Sequence, residues 1–251
     1  MYDFPEPRLL FKPDPAHTLV DIDLAGADAR VAAWDCDELG DPSYRLSFLR
    51  ADQTGEKIHK VNAEKIFLVP DGKREPFYTN AKKGVHATTY GAKPNTLVSR
   101  AGFTLPQATN FQRQLFTQYP GIRKRILHIE LLLQQGKPIQ NKFGFETRYY
   151  DRPDAALTEA LAWGPQSTVA IVTYKAMRII RKYFWRHITL LLQVHDSLVM
   201  QIPTYILDRV LRELHGPLHE IVIPFPTPLV IPWGLKTSTQ SWGQCKDRPW
   251  H

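Results

Sequence analysis

The sequence predicts an α+β fold in which a block of helices interrupts a β-sheet. Three observations carry this. "TLVDIDL" (18–24) alternates apolar and polar residues as a half-buried strand does. Between residues 57 and 136, amphipathic segments follow one another at helical spacing. "LLLQVHDSLVMQIP" (190–203) reads as two apolar strands broken by His195 and Asp196, and a carboxylate in such a run is costly unless something cationic meets it.

The elements follow in order. Pro5, Pro7, Pro13 and Pro15 bar helix and make residues 1–18 an extended lead-in. The strand at 18–24 gives way to a helical stretch over 26–35. Residues 57–68 and 77–90 read as helices separated by the "PDGK" turn at 70–73. Thr104 caps a helix over 106–118, and "PGIRKRILHIELLLQQG" (120–136) is an amphipathic helix closed by Gly136. A short hairpin is predicted over 137–153. Pro165 is read as the opening of a long helix to Tyr183. Strands over 188–194 and 198–202 would pair as a hairpin whose tight turn holds His195, Asp196 and Ser197. A helix over 204–218, a proline-interrupted edge segment over 221–235 and a Trp-bearing tail complete the chain.

The chain has 251 residues, 43% hydrophobic, enough for one large domain or two small ones. Its formal net charge of +7 suits a polyanion, nucleic acid first. Cys36 and Cys245 are the only cysteines, which excludes a disulfide framework and a zinc cluster and makes a reducing cytoplasm the expected compartment. The N-terminal stretch has no apolar h-region, and no apolar run approaches the ~18 residues of a membrane span, so no membrane partner is expected.

Three stretches carry candidate chemistry. In "DIDLAGADAR" (21–30), Asp23 ends a strand and Asp28 and Arg30 follow it; a strand-end carboxylate suits a hard cation, and capping or a surface turn is the alternative. In "NAKKGVHATTYG" (80–91), Lys82, His86 and Tyr90 fall at i, i+4 and i+8 on one helix face, able to meet a phosphate, a base and a sugar. Six Lys or Arg against Glu75 alone between 73 and 100 strengthen that stripe, whose other reading is a solvated face. The third is the His195–Asp196 turn, where a lone pair of this kind is also compatible with a structural role.

Together the three resemble the family A (Pol I-like) DNA polymerases, the bacteriophage-type branch most closely. "DLAGADAR" resembles motif A through Asp23, Asp28 and Arg30. "KKGVHATTYG" resembles motif B through Lys82, His86, Tyr90 and Gly91, and "VHDSLV" resembles motif C through His195 and Asp196. "KIHKVNAEKIF" (57–67) is similar to the fingers segment whose histidine, here His59, faces the triphosphate. "ALAWGPQSTVA" (160–170) is similar to the start of the palm helix whose glutamine, here Gln166, reads the minor groove. The resemblance covers residues 19–245.

It implies a polymerase palm with an antiparallel sheet and an inserted helical fingers subdomain: residues 1–45 and 137–251 as palm, 46–136 as fingers. It implies a template-directed DNA polymerase adding deoxynucleotides to a primer 3′ end. Asp23 and Asp196 would hold two Mg²⁺ ions about 4 Å apart, with Mn²⁺ as a substitute, clamping the attacking 3′ oxygen and the leaving pyrophosphate oxygen. Lys82 would pair with the triphosphate and serve as acid to the pyrophosphate. His59, His86, Tyr90 and Asp28 would line the nucleotide, with Tyr90 and Asp28 walling off a ribose 2′-OH. Gln166 and His195 would contact primer-template DNA, with Arg30 beside them, bracing the motif A turn as an ion pair. Ser197 has no metal role. Lys175, Arg178, Arg181, Lys182 and Arg186, with no acid between 160 and 195, would track nucleic-acid backbone.

Three departures from the family pattern stand out. Tyr78 occupies the position, four before Lys82, of a basic residue, which Arg74 or Lys73 would have to replace. Asp28 is one methylene shorter than the usual Glu, which implies a looser sugar gate. Only 22 residues precede Asp23 in this sequence. That leads us to expect a palm-and-fingers piece without the thumb and 3′–5′ exonuclease, supplied by a second polypeptide or belonging to a longer enzyme. The rival readings are a single-subunit RNA polymerase-like enzyme, against which Asp28 argues, and a catalytically idle nucleic-acid-binding subunit. A cytoplasmic setting, the host cell's if the protein is viral, is expected.

Overall fold

The structure is a computed structural model describing residues 6–250. Pro7–Leu10 form a single 3-10 turn in the lead-in, where the sequence predicts only extended chain. A proline at the first position suits one tight turn even where it bars a longer helix. Pro5 and the residues before it lie outside the described residues. Strand β1 (His17–Leu24) follows as predicted, and then seven helices: α1 (Ala27–Glu38), α2 (Ser43–Thr54), α3 (Ile58–Phe67), α4 (Phe77–Thr89), α5 (Pro94–Ala101), α6 (Leu105–Gln118) and α7 (Pro120–Gln134). Thr104 caps α6 in a full capping box with Gln107. Helices α2 and α5 have no counterpart among the predicted elements. α2 buries Tyr44, Phe48 and Ala51 at i, i+4 and i+7, while α5 runs from Pro94 to a left-handed Gly102.

The predicted hairpin is β2 (Ile139–Gln140) with β3 (Glu146–Thr147). Helix α8 (Pro153–Tyr183) begins twelve residues before the predicted start: Pro153 takes the first position, and Pro165 lies inside the helix. An internal proline removes one backbone donor and kinks a helix, so the long-helix reading holds but its opening moves. Next come β4 (Thr189–Val194), β5 (Ser197–Pro203) and α9 (Leu207–His219), the last reached through a 3-10 turn at Thr204–Ile206. α9 buries Leu207, Val210, Leu211, Leu214 and Leu218 along one stripe. β6 (Val222–Ile223) and β7 (Leu229–Val230) form a small hairpin. β8 (Trp233–Ser238) and β9 (Lys246–Asp247) close the chain. The predicted edge segment is therefore two things. Its proline-rich part is the small hairpin, while β8 itself contains no proline and accepts partners on both sides.

The chain forms two compact units. The first runs to Ala27 and resumes over Thr168–Pro224 and Pro228–His251; the second comprises Asp28–Ser167 and Phe225–Thr227. Among the described residues the first unit holds one five-stranded antiparallel sheet, ordered β4-β5-β1-β8-β9. Its pleat sorts the residues. Val20, Ile22, Leu24, Leu198, Met200, Ile202 and Leu235 share one face and are almost wholly buried. Asp21, Asp23, Ser197, Gly234 and Lys236 share the other.

The second unit is helical, with an aromatic cluster of Phe67, Phe77, Phe103 and Phe111 at ring separations of 5.3–6.2 Å. Arg125 of α7, only 3% exposed, ties it together. Its guanidinium donates to Asp35 Oδ2 of α1 at 2.9 Å, to the Leu161 carbonyl of α8 at 2.8 Å and to the Thr89 carbonyl of α4 at 3.4 Å. Removing one partner of such a buried network leaves polar groups unmet. Arg125→Ala is expected to destabilise the chain by about 3 kcal/mol, read as a lower urea midpoint; an unchanged midpoint would remove Arg125 from this role.

Candidate active site

Strand β1 delivers Asp23 to the end of the first unit's sheet, opposite Ser197 on β5 and Gly234 on β8. The turn before Ser197 is His195–Asp196 alone, since Ser197 already belongs to β5. His195 has φ +54°, a left-handed conformation that costs a side-chain-bearing residue roughly 1 kcal/mol and that two-residue hairpin turns demand. The Asp196 carbonyl accepts from the Leu24 N–H at 3.2 Å, so this turn is bonded to the end of β1. Two aspartates far apart in the chain thus occupy neighbouring strand ends. Both are partly exposed.

The two aspartates of β1 have different fates. Asp21 is buried, accepting from Ser197 Oγ at 2.5 Å and from Trp242 Nε1 at 2.8 Å. The serine hydroxyl is engaged there. Asp23 Oδ1 lies 3.5 Å from Lys236 Nζ. A Cβ at position 234 would stand 2.8 Å from the same oxygen, so glycine keeps room beside it. Adjacent carboxylates repel unless cations offset them. Lys236 provides one such charge, and the oxygen donors suit Mg²⁺, which takes one or two carboxylates and completes its shell with waters and phosphates. Among the described residues no group of three or more His, Cys, Asp or Glu is arranged to hold a metal.

In the second unit, α3 and α4 bring His59 to Lys82 and His86. His59 Nδ1 is buried and has no hydrogen-bond partner. Burial first, then the charges of Lys82 and His86, push its pKa down to about 4. His86, exposed on α4, is also lowered; crowding by its neighbours and Lys82 outweigh the pull of Asp28. Tyr78 stands edge-on to the His59 ring at 6.4 Å, where the family pattern has a cation. The Tyr90 ring meets His86 edge-on at 4.7 Å, and its hydroxyl donates to Asp28 Oδ2 at 3.1 Å. Burial and the Asp28 charge raise the Tyr90 pKa far above its ordinary value, so the phenol keeps its proton. Gly91 takes φ +77°, which strains any residue with a side chain, and a Cβ there would stand 2.8 Å from Leu161 Cδ1, which would have to shift. An exposed Lys82, an unsatisfied imidazole nitrogen and a fixed phenol–carboxylate pair can meet phosphates and a sugar.

Comparison with known proteins identifies the family of the chain. The chain matches the model of DNA polymerase family A over residues 5–244. It belongs to that family. It is 29% identical over 244 residues to DNA polymerase I of Chloroflexus aurantiacus, covering 90% of this chain and 25% of that protein. To the thermostable DNA polymerase I of Thermus aquaticus it is 27% identical over 240 residues, covering 91% and 28%. The chain thus spans about a quarter of the length of these relatives. Its fold is shared with the POL domain of Pol1 from M. smegmatis, solved with DNA primer-template and dNTP, at TM-score 0.76 and 19% identity over 92% of this chain and 41% of that one.

The remaining residues singled out for this family A chain lie as follows. Gln166 is exposed on α8, and His195 is exposed at the hairpin tip. Arg30 is buried and bidentate on Asp52, at 2.8 and 2.5 Å, with Phe48 beneath its guanidinium at 4.9 Å. That is a brace between α1 and α2. Lys236 and Gly234 were not legible as site residues, since only the β1–β8 register brings them to Asp23, and Trp242 reaches Asp21 from a 3-10 turn at Trp242–Gln244. His59 carries a pH signature. As pH falls below 6.5 the unfolded chain takes up the proton first, so stability is lost between pH 6.5 and about 4, by up to roughly 3 kcal/mol. His59→Gln is expected to shrink that loss in urea titrations; an unaltered pH dependence would contradict the placement of His59.

Proposed function

We propose that the chain is the palm-and-fingers part of a template-directed DNA polymerase, adding deoxynucleotides to a primer 3′ end. The observation that carries this reading is the hydrogen bond from the Leu24 N–H to the Asp196 carbonyl, which joins the backbone of the motif C turn to the end of the motif A strand. Within family A, the proposed affiliation is bacteriophage-type, on the form of the three motifs. Residues 1–45 and 137–251 would act as palm and 46–136 as fingers. Primer-template DNA and deoxynucleoside triphosphates would be the partners, with a separate thumb and exonuclease polypeptide as a further one.

Asp23 and Asp196 would hold Mg²⁺, two ions in the family's manner, with Mn²⁺ as substitute; the oxygen donors and the room left by Gly234 support this. The bound ions would supply charge neutralisation at the attacking 3′ oxygen and the leaving pyrophosphate. Lys236 would hold the Asp23 carboxylate in place from its other side. Lys82 would bind the triphosphate and lend a proton to the pyrophosphate as it leaves. His59, held neutral by burial, would more readily take a proton when a polyanion binds beside it and offsets the charge of Lys82. Tyr90 would pack beside the nascent base pair, positioned by Asp28, and the two would exclude a 2′-OH. His86 would back that ring, Arg30 would brace motif A, and Gln166 and His195 would contact DNA.

The test is extension of a primed DNA template by the 251-residue chain with Mg²⁺. Extension that falls at least about 10³-fold in Asp196→Ala is expected. Binding of primed DNA with no extension at any enzyme concentration, with or without a thumb-bearing partner, would favour the idle binding subunit. Ribonucleotides in the same assay test the sugar wall. Asp28→Glu should lower ribonucleotide incorporation, and a preference for ribonucleotides in the unaltered chain would favour the RNA polymerase-like reading.

A further inference from the structure

The second half of α8 presents a feature that the polymerase site leaves unused. Tyr174, Arg178, Arg181, Lys182 and Trp185 fall at i, i+4, i+7, i+8 and i+11, so they follow one helix face and its continuation. All five are exposed, and large aromatic rings are seldom left so: Tyr174 is 53% exposed, Trp185 56% and the neighbouring Tyr183 62%. From Thr168 to His195 there are five Lys or Arg and no acid. The rings are already paired with cations, Lys182 over Tyr183 at 4.7 Å and Arg186 over Trp185 at 5.0 Å. Beside the stripe runs an open groove of about 1370 Å³, lined by Arg178, Arg181, Lys182 and Tyr183 and by apolar Ile221 and Val222. Glu220 is its one acidic lining residue. Every one of these residues belongs to the first compact unit.

Cations alone would serve any polyanion. The exposed rings narrow the choice. Duplex DNA offers phosphates but keeps its base faces stacked on one another, whereas an unpaired strand offers both phosphates and free base faces. An acidic protein segment would use the cations and leave the rings idle. We propose that this face of α8 and its groove bind a stretch of unpaired DNA, with Arg178, Arg181 and Lys182 on its phosphates and Tyr183 stacked on a base. The inference rests on the family A reading in taking DNA as the polyanion. The strand could be unpaired template ahead of the primer end or a strand displaced from it; both present the same chemistry.

The test is fluorescence anisotropy of a labelled oligo(dT) of about 15 nucleotides with the full chain, across a salt series. The doubly substituted Arg178→Ala/Arg181→Ala chain should bind about tenfold more weakly and show a slope of log K against log salt shallower by about 1.4, two phosphate contacts at about 0.7 each. Tyr183→Ala should weaken binding about fivefold or more with the slope kept. Unchanged thermal unfolding of both variants would show that the fold is intact. Oligo(dT) affinity undiminished in either variant would overturn the proposal. So would a blunt duplex, a poly-glutamate peptide or anionic vesicles binding as tightly as oligo(dT) and losing as much in Tyr183→Ala. A chain that binds oligo(dT) through this face yet extends no primer, with or without a thumb-bearing partner, would sink the polymerase reading and leave this one. Extension with oligo(dT) binding indifferent to these residues would do the reverse. An oligo(dT) template placed beyond the primer end, set against a displaced strand, then separates the two sources by which protects Tyr183 from modification.

Discussion

The register between β1 and β5 is the constraint on which the site depends. Asp23 opposes Ser197, and the backbone of Leu24 bonds that of Asp196. A slip of one residue would turn Asp21 and Asp23 into the apolar layer now filled by Val20, Ile22 and Leu24, and would carry those three to the face where the two carboxylates now lie. Burial of that layer therefore fixes the position of the carboxylates. The same register sets Lys236 and Gly234 beside Asp23 from β8, one supplying charge and the other room. Asp21, two residues earlier on the same face, is closed off by Ser197 and Trp242. The strand thus carries one structural aspartate and one left open for chemistry.

The second unit treats its polar groups on a different principle. Arg125 and Arg30 are buried and held by several hydrogen bonds each, whereas His59 Nδ1 is buried with none. A buried donor or acceptor left unpaired is costly and points to a ligand that completes it. Burial, with the charge of Lys82 beside it, holds His59 neutral, a state that an arriving polyanion would reverse. Tyr90 and Asp28 form the opposite case, a pair locked together whose phenol cannot ionise near neutral pH.

Much of this was legible in the sequence. The alternation of 18–24, the capping Thr104, the hairpin strands around His195–Asp196 and the three motifs in order were enough for the α+β class and the family. What the sequence hid has physical causes. Pro165 reads as a helix start because proline favours that position, yet the helix tolerates it inside, and Pro153 holds the true first position. α2 escaped because its buried residues are few and its arginines and polar residues many. Lys236 and Trp242 escaped because they are more than two hundred residues from β1 and reach it only through pairing that no local pattern encodes. Tyr78 was visible as a departure, but its edge-on stacking against His59 was not.

The central claim is that Asp23 and Asp196 form one cation site. Fe²⁺ in place of Mg²⁺, with ascorbate and peroxide, cleaves a backbone next to the bound ion, and mass spectrometry of the fragments locates the cuts. Cuts beside both Asp23 and Asp196, lost together in Asp196→Asn and suppressed by excess Mg²⁺, are the expected result. Cuts beside only one of them, or cuts that survive the substitution, would contradict it.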